Sequence, residues 1–331
     1  MSNLFPDNTV TTAAPAPPDP RIESAWRAYE RQFLPHPSGK SLLLACSLFG
    51  LTLGTSLVAG THFAVAYAHN EAVSWDEFIR AFTLVYRNPL ALAAGLPFAL
   101  TLLTILLAHE LGHFFACRHH HIHSSYPFFI PFPTLIGTLG AFILIRSPIR
   151  TTRALFDVGA SGPLVGFFVA VPALIYGIVH AKLVTGLGDP ASVGIVLGSP
   201  LLLKVLAPIF HHGASSANLL LHPVGRAAWV GFFATSLNLL PAVQLDGGHI
   251  VRSISRPAHR LTSIVVPALL VVLGFRYWGG WYVWAALLVG IHFLRTLPIY
   301  NPEPLGAKRY AAAILSLVIF VVCFMPAPFV E

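Results

Sequence analysis

Residues 89–117 read PLALAAGLPFALTLLTILLAHELGHFFAC, and this stretch decides the fold. From Pro89 to Ala108 it contains no charged side chain. A lipid-spanning helix needs about 20 predominantly apolar residues, so the segment specifies a bilayer span. Near its end the run places three ionisable groups, His109, Glu110 and His113, within little more than one helical turn. Each such group inside a span costs about 2.5–3.5 kcal/mol on insertion scales, and residues that carry this cost mark functional sites.

The rest of the chain supports a membrane setting. Of 331 residues, 55% are hydrophobic and only 10% are charged, too little charge for a water-soluble globule of this size. Further apolar runs at 41–66, 154–180, 223–246, 262–277, 281–297 and 310–328 predict an all-α polytopic membrane protein of six to seven transmembrane helices. Pro97, Pro172 and Pro267 fall inside these runs and predict kinks. Residues 1–40, with TTAAPAPPDP at 11–20, predict a flexible Pro-rich tail, and 41–331 a single membrane-embedded domain. Cys46, Cys117 and Cys323 are too few and scattered for a disulfide framework and read as small buried hydrophobes.

The formal charge of +7 does not indicate nucleic-acid binding, because the basic residues are dispersed between apolar runs and form no stripe. They act as topology signals. In the seven-span reading most of the 20 basic residues, including Arg118, Arg146, Arg150, Arg153, Arg252, Arg256 and Arg260, share one side with the N-terminus. Cytoplasmic loops carry the excess of Lys and Arg, which predicts a cytoplasmic N-terminus. Nothing in the sequence indicates the oligomeric state.

Between the second and third runs, residues 126–147 read YPFFIPFPTLIGTLGAFILIRS, apolar but punctuated by proline and glycine. Its second half, 138–145, suits a strand. Because open strand edges are not tolerated in lipid, the segment is expected to be a re-entrant β-hairpin packed in protein beside a water-filled cavity.

The local chemistry of HELGH (109–113) follows from helix geometry. Residues four apart lie only ~40° around the axis and ~6 Å along it, so both imidazoles can reach one ion. Glu110, on an adjacent face, can accept a proton from a metal-bound water. A zinc site of this type needs a third protein ligand. The only glutamates after Glu110 are Glu303 and Glu331, which rules out a glutamate on the following helix. His119 has a usable spacing from His109, but Ala116 stands where a chain-turning glycine would be needed. Asp246 is the strongest candidate: it ends an apolar run in NLLPAVQLDGG (238–248), where Pro241 and the two glycines would unwind the helix and turn the carboxylate inward. In the alternative reading, Asp246 caps a helix that starts at Gly247. Asn238 can donate hydrogen bonds to a substrate or intermediate.

Together, HELGH on one span and N-x-x-P-x-x-x-L-D-G on a later one resemble the site-2 protease family of intramembrane zinc metalloproteases. GAFILIRSP (140–148) and LFDVGASGPLVGF (155–167) are similar to segments of its minimal branch, the plant chloroplast and bacterial members without inserted PDZ or CBS domains. The resemblance covers about residues 89–256, the expected catalytic core. It implies one zinc per chain held by His109, His113 and Asp246, Glu110 as general base, and transmembrane protein substrates cut within the bilayer. The expected setting is a bacterial cell membrane. Two other classes are a membrane zinc transporter, suggested by the 16 histidines, and an inactive relative that binds helices without cutting them.

Other polar residues receive structural readings. The cluster His119 to His121 with His123 reads as a solvated interfacial loop, His249 as a neighbour of the site or a cap, and His292 as a packed polar residue. Asp157 is expected to pair with Arg153 at i, i+4.

Overall fold

The computed structural model describes residues 39–72, 74–184, 195–211, 215–293 and 303–330. The Pro-rich tail lies outside the described residues. The chain is a mostly helical polytopic membrane protein. Helix α1 (Gly39–His69) is followed by α2 (Trp75–Arg87), a 3-10 turn (Pro89–Gly95) that runs into α3 (Leu96–His119), strands β1 (Phe128–Pro131) and β2 (Thr138–Phe142), and α4 (Thr152–Val179). Beyond these lie α5 (Leu201–Phe210), α6 (Pro223–Asn238), α7 (Asp246–Ile254), α8 (Arg256–Arg276), α9 (Gly280–His292) and α10 (Ala307–Cys323).

Among the described residues, four helical segments are long and apolar enough to cross a membrane: Gly39–His69, Pro89–His119, Thr152–Val179 and Arg256–Arg276. Their outer faces expose large apolar side chains, such as Leu51 on α1, Phe168 on α4 and Leu261, Ile264, Val272 and Phe275 on α8. An apolar surface of this extent suits lipid rather than water. Helices α3, α4 and α6 pack together at the centre, where Phe98, Leu102, Ile105, Leu174, Trp229 and Phe232 are buried almost completely.

Several sequence expectations change here. The run 223–246 is not one helix: α6 stops at Asn238, seven residues form an irregular loop, and Asp246 starts α7. The apolar pattern continued through Leu239 and Leu240, but the chain turned before Pro241. Pro97 is not in the interior of a helix. It lies in the first turn of α3, where a missing N–H leaves no helical hydrogen bond unmade. Among the described residues, the runs expected at 281–297 and 310–328 are helical over Gly280–His292 and Ala307–Cys323. Cys46 is exposed on α1, unlike buried Cys117 and Cys323. His292 is exposed at the end of α9 instead of packed.

Helix α2 was not foreseen, because its apolar residues follow a helical stripe and not a continuous run. β1 and β2 pair antiparallel, Phe128 opposite Phe142 and Pro131 opposite Thr138, with a bulge between Phe129 and Pro131. A Ser124–Ile145 bridge extends this pairing towards α4. The pair is held to α1 through Thr55, whose hydroxyl donates to the Gly137 carbonyl.

Candidate metal centre

Helix α3 continues unbroken through HELGH, so His109 and His113 project from one face, as the i, i+4 spacing requires. Arg118 and His119 lie in its last turn, where the helix dipole favours cations. Asp246 approaches from the start of α7. Its Oδ2 lies 3.3 Å from Nε2 of His109 and 3.3 Å from Nε2 of His113, and the two Nε2 atoms are 3.1 Å apart.

This triangle tests whether the residues suit a zinc ion. Tetrahedral coordination with bonds of about 2.0–2.1 Å places neighbouring ligand atoms about 3.3–3.4 Å apart. The three edges match within a few tenths of an ångström. Among the described residues, His109, His113 and Asp246 form the one group of three or more His, Cys, Asp or Glu side chains whose ligand atoms converge this closely. Two neutral imidazoles and a carboxylate are a donor set that zinc accepts, and it leaves a fourth position open.

The arrangement is supported from behind. Nδ1 of His113 donates to the Val158 carbonyl at 2.7 Å, which fixes the ring and leaves the Nε2 lone pair facing the centre. Asn238, the last residue of α6, brings its side-chain amide within 3.2 Å of His109 Nε2. Glu110 is buried beside the triangle, and the backbone of Ile143, just beyond β2, lies close to its carboxylate. The arrangement therefore brings a three-atom metal site, a carboxylate, an amide and a strand edge to one place.

Access for the imidazoles depends on small residues in α4 that were not singled out by chemistry. Gly159, Gly162 and Gly166 lie at i, i+3 and i+7, on one face. A Cβ at Gly162 would collide with the His113 ring, and one at Gly166 would come 3.1 Å from His109 Nδ1. One at Gly159 would lie 2.7 Å from His249 Cβ, which is where that histidine packs. The available sequence signal was the spacing of small residues in an apolar run, a device for close helix approach.

The loop between Asn238 and Asp246 is tightly folded. Val243 has φ 46°, a left-handed conformation that a β-branched residue rarely adopts. Gly247 and Gly248 follow because the loop folds back over the first turn of α7: a Cβ at Gly248 would run into the carbonyls of Ala242 and Val243. Asp246 is the first residue of α7, whose N-cap is Leu245 without a side-chain capping bond, so its carboxylate faces the two imidazoles and does not cap the helix.

Asp157 does not pair with Arg153. It accepts two hydrogen bonds from Arg309 of α10, at 2.7 and 2.6 Å, and lies 2.8 Å from His120 Nε2. Arg153 instead bonds to the Pro304 carbonyl and pairs with Glu303 at 3.4 Å. The long-range pairing wins because Arg309 can engage both carboxylate oxygens at once. Within the histidine cluster, His120 is therefore part of an ion-pair network.

Comparison with known proteins follows the same lines. The family model "Peptidase family M50" matches residues 97–275. The probable zinc metalloprotease EGY1, chloroplastic, of Arabidopsis thaliana is 32% identical over 302 residues, covering 86% of this chain and 53% of that protein. Its counterpart in Oryza sativa subsp. japonica is 35% identical over 162 residues, 48% of this chain and 28% of that protein. The probable zinc metalloprotease EGY2, chloroplastic, of Arabidopsis thaliana is 27% identical over 272 residues, covering 76% and 48%. The chain thus spans about half the length, or less, of these curated relatives. No solved structure matches.

Proposed function

The chain belongs to peptidase family M50, and from that premise we propose that it is an intramembrane zinc metalloprotease that hydrolyses peptide bonds within or near the transmembrane helices of membrane-protein substrates. The observation that carries the proposal is the convergence of His109, His113 and Asp246, from two separate elements, at ligand-like spacings beside a buried glutamate.

His109, His113 and Asp246 would hold one zinc, which when bound supplies Lewis-acid activation of water and of the scissile carbonyl. Glu110 takes a proton from the attacking water as its oxygen bonds to the carbonyl carbon. The same carboxylate then passes the proton to the leaving nitrogen as the C–N bond breaks. Asn238 donates from its side-chain amide to the oxygen on which negative charge develops. A helical substrate must unwind locally to present a carbonyl. The open edge of β2 can receive the unwound segment as an added strand.

The membrane arrangement completes the reading. Counting the shorter α6, α9 and α10 beside the four long segments gives seven spans, the upper end of the six to seven expected, with β1 and β2 as a re-entrant hairpin and the catalytic core at about 89–256. The basic-residue bias places the N-terminus in the cytoplasm. A bacterial cell membrane is the setting expected from the sequence, while the relatives reported above are plant proteins named chloroplastic.

Purified protein should contain one equivalent of zinc and cleave a single-span model substrate. Glu110→Gln should retain the zinc and lower cleavage by about 10²–10⁴-fold. A zinc transporter would keep its transport in that variant, and an inactive relative would show no cleavage even in the parent. Full cleavage by Glu110→Gln would sink the proposed chemistry.

A further inference from the structure

Val243 lies in the loop that delivers Asp246, and both of its backbone polar groups are held by side chains of another helix. Its N–H donates to the Ser263 hydroxyl at 3.0 Å, and its carbonyl accepts from His259 Nε2 at 2.8 Å. Ser263 is 4% exposed and Val243 is also 4% exposed. His259 and Ser263 are four residues apart on α8, so they share one face of that helix. The start of α8 sets this register: Ser255 caps it by accepting from the Ala258 N–H, and the His259 N–H donates to the Ser255 carbonyl.

A β-branched residue at φ 46° does not hold this conformation unaided, and such strained residues persist where surrounding structure over-determines them. Here two external hydrogen bonds do so. Released from them, Val243 would relax towards negative φ. That rotation would swing the following residues, Gln244 and Leu245, and with them the Asp246 carboxylate.

We propose that His259 and Ser263 are positioning residues, a backbone clamp that keeps Val243 left-handed and so fixes the Asp246 carboxylate opposite the two imidazoles. The inference rests on the metal-centre reading above. It assigns α8 a part in the site although none of its side chains touches the three ligands. His259 must carry its proton on Nε2 to donate, and glutamine can substitute because its side-chain amide donates from a similar reach.

The test uses the full chain in detergent micelles, with zinc retention measured by chelator competition and loop order by hydrogen exchange over residues 239–245. Ser263→Ala and His259→Ala should each weaken zinc binding by about 10–100-fold, the range typical of residues that orient metal ligands. Both should also speed exchange in the loop. Ser263→Thr and His259→Gln, which keep the donor or acceptor, should stay close to the parent. Adding Val243→Gly to either alanine variant should recover part of the zinc affinity, since glycine adopts positive φ without a clamp. A role confined to general stability would lower the melting temperature of the two alanine variants and would not show that rescue of zinc affinity.

Folded alanine variants that retain zinc within about twofold of the parent would overturn the clamp while leaving the metal centre intact. If the alanine variants do not fold, the parent decides: a Val243 amide that exchanges as fast as an exposed loop in the zinc-loaded protein overturns the clamp. A parent that binds no zinc refutes the metal-centre reading itself, and the clamp with it.

Discussion

His113 and Val158, 45 residues apart in sequence, are joined by a 2.7 Å hydrogen bond from the imidazole Nδ1 to the backbone carbonyl. Because the acceptor is main chain, it cannot be removed by substitution. What substitution can change is the distance between the two helices. Gly162→Ala would push a methyl group into the His113 ring, and zinc affinity should fall by tenfold or more. Gly50→Ala, on α1 where nothing lies within 4 Å, should leave it unchanged. Metal content after dialysis of the two variants provides the comparison.

Strand β2 makes a separate prediction. Gly140 has φ 108°, a conformation that strains any side-chain-bearing residue. Gly140→Ala should distort β2 beside Glu110, so cleavage should drop several-fold with zinc content intact. Cleavage equal to that of the parent would remove β2 from the account of substrate handling.

At the other end of α6, His222 caps the helix by accepting the Val224 N–H through Nδ1, which requires that nitrogen to be unprotonated. Burial, reinforced by the nearby His180, holds its pKa below the ordinary histidine value. The sign follows directly. Above the ordinary pKa both folded and unfolded forms are neutral and the cap is intact; as pH falls below it, the unfolded state takes up the proton more readily, so stability declines. The melting temperature should therefore fall as pH is lowered from about 7 to 5. His222→Asn keeps a capping oxygen without this titration and should flatten the dependence.

The Arg309–Asp157 pair ties α10 to α4, and its side chains are 29% and 26% exposed. Screening limits such a pair to about 0.5–1 kcal/mol. Arg309→Met should lower the melting temperature slightly and speed hydrogen exchange in the first turn of α10. Zinc affinity, governed elsewhere, should not move. A large loss of zinc in this variant would mean that α10 supports the metal site directly.

The parts of the site legible in the sequence are those with side-chain signatures. His109 and His113 are local, and helix periodicity alone brings them together. Asp246 became legible by elimination and by the motif around it. Elsewhere the physics left little trace. Leu239 and Leu240 continue the apolar pattern of α6 and hide where it ends, although Pro241 is the local signal that the helix must stop just before it. The roles of His259 and Ser263 run through two backbone atoms of Val243, which have no residue identity to read. Asp157 offered a plausible local partner in Arg153, and the better geometry of a residue in α10 prevailed. Helix α2 leaves no span signature in the sequence, because it has one polar and one apolar face.

The separation of the metal ligands also sets an order of assembly during synthesis. Helix α3 enters the membrane carrying its two imidazoles and Glu110 well before the carboxylate exists; Asn238, just ahead of it, is made 129 residues after His109. The first helix to follow is α4, whose glycine face and Val158 carbonyl can shelter His113 in the meantime. Only when the chain has passed Asp246 can the metal be enclosed. Under the proposed function, Glu110 is therefore made long before the three ligands are complete, and cleavage would become possible only late in synthesis.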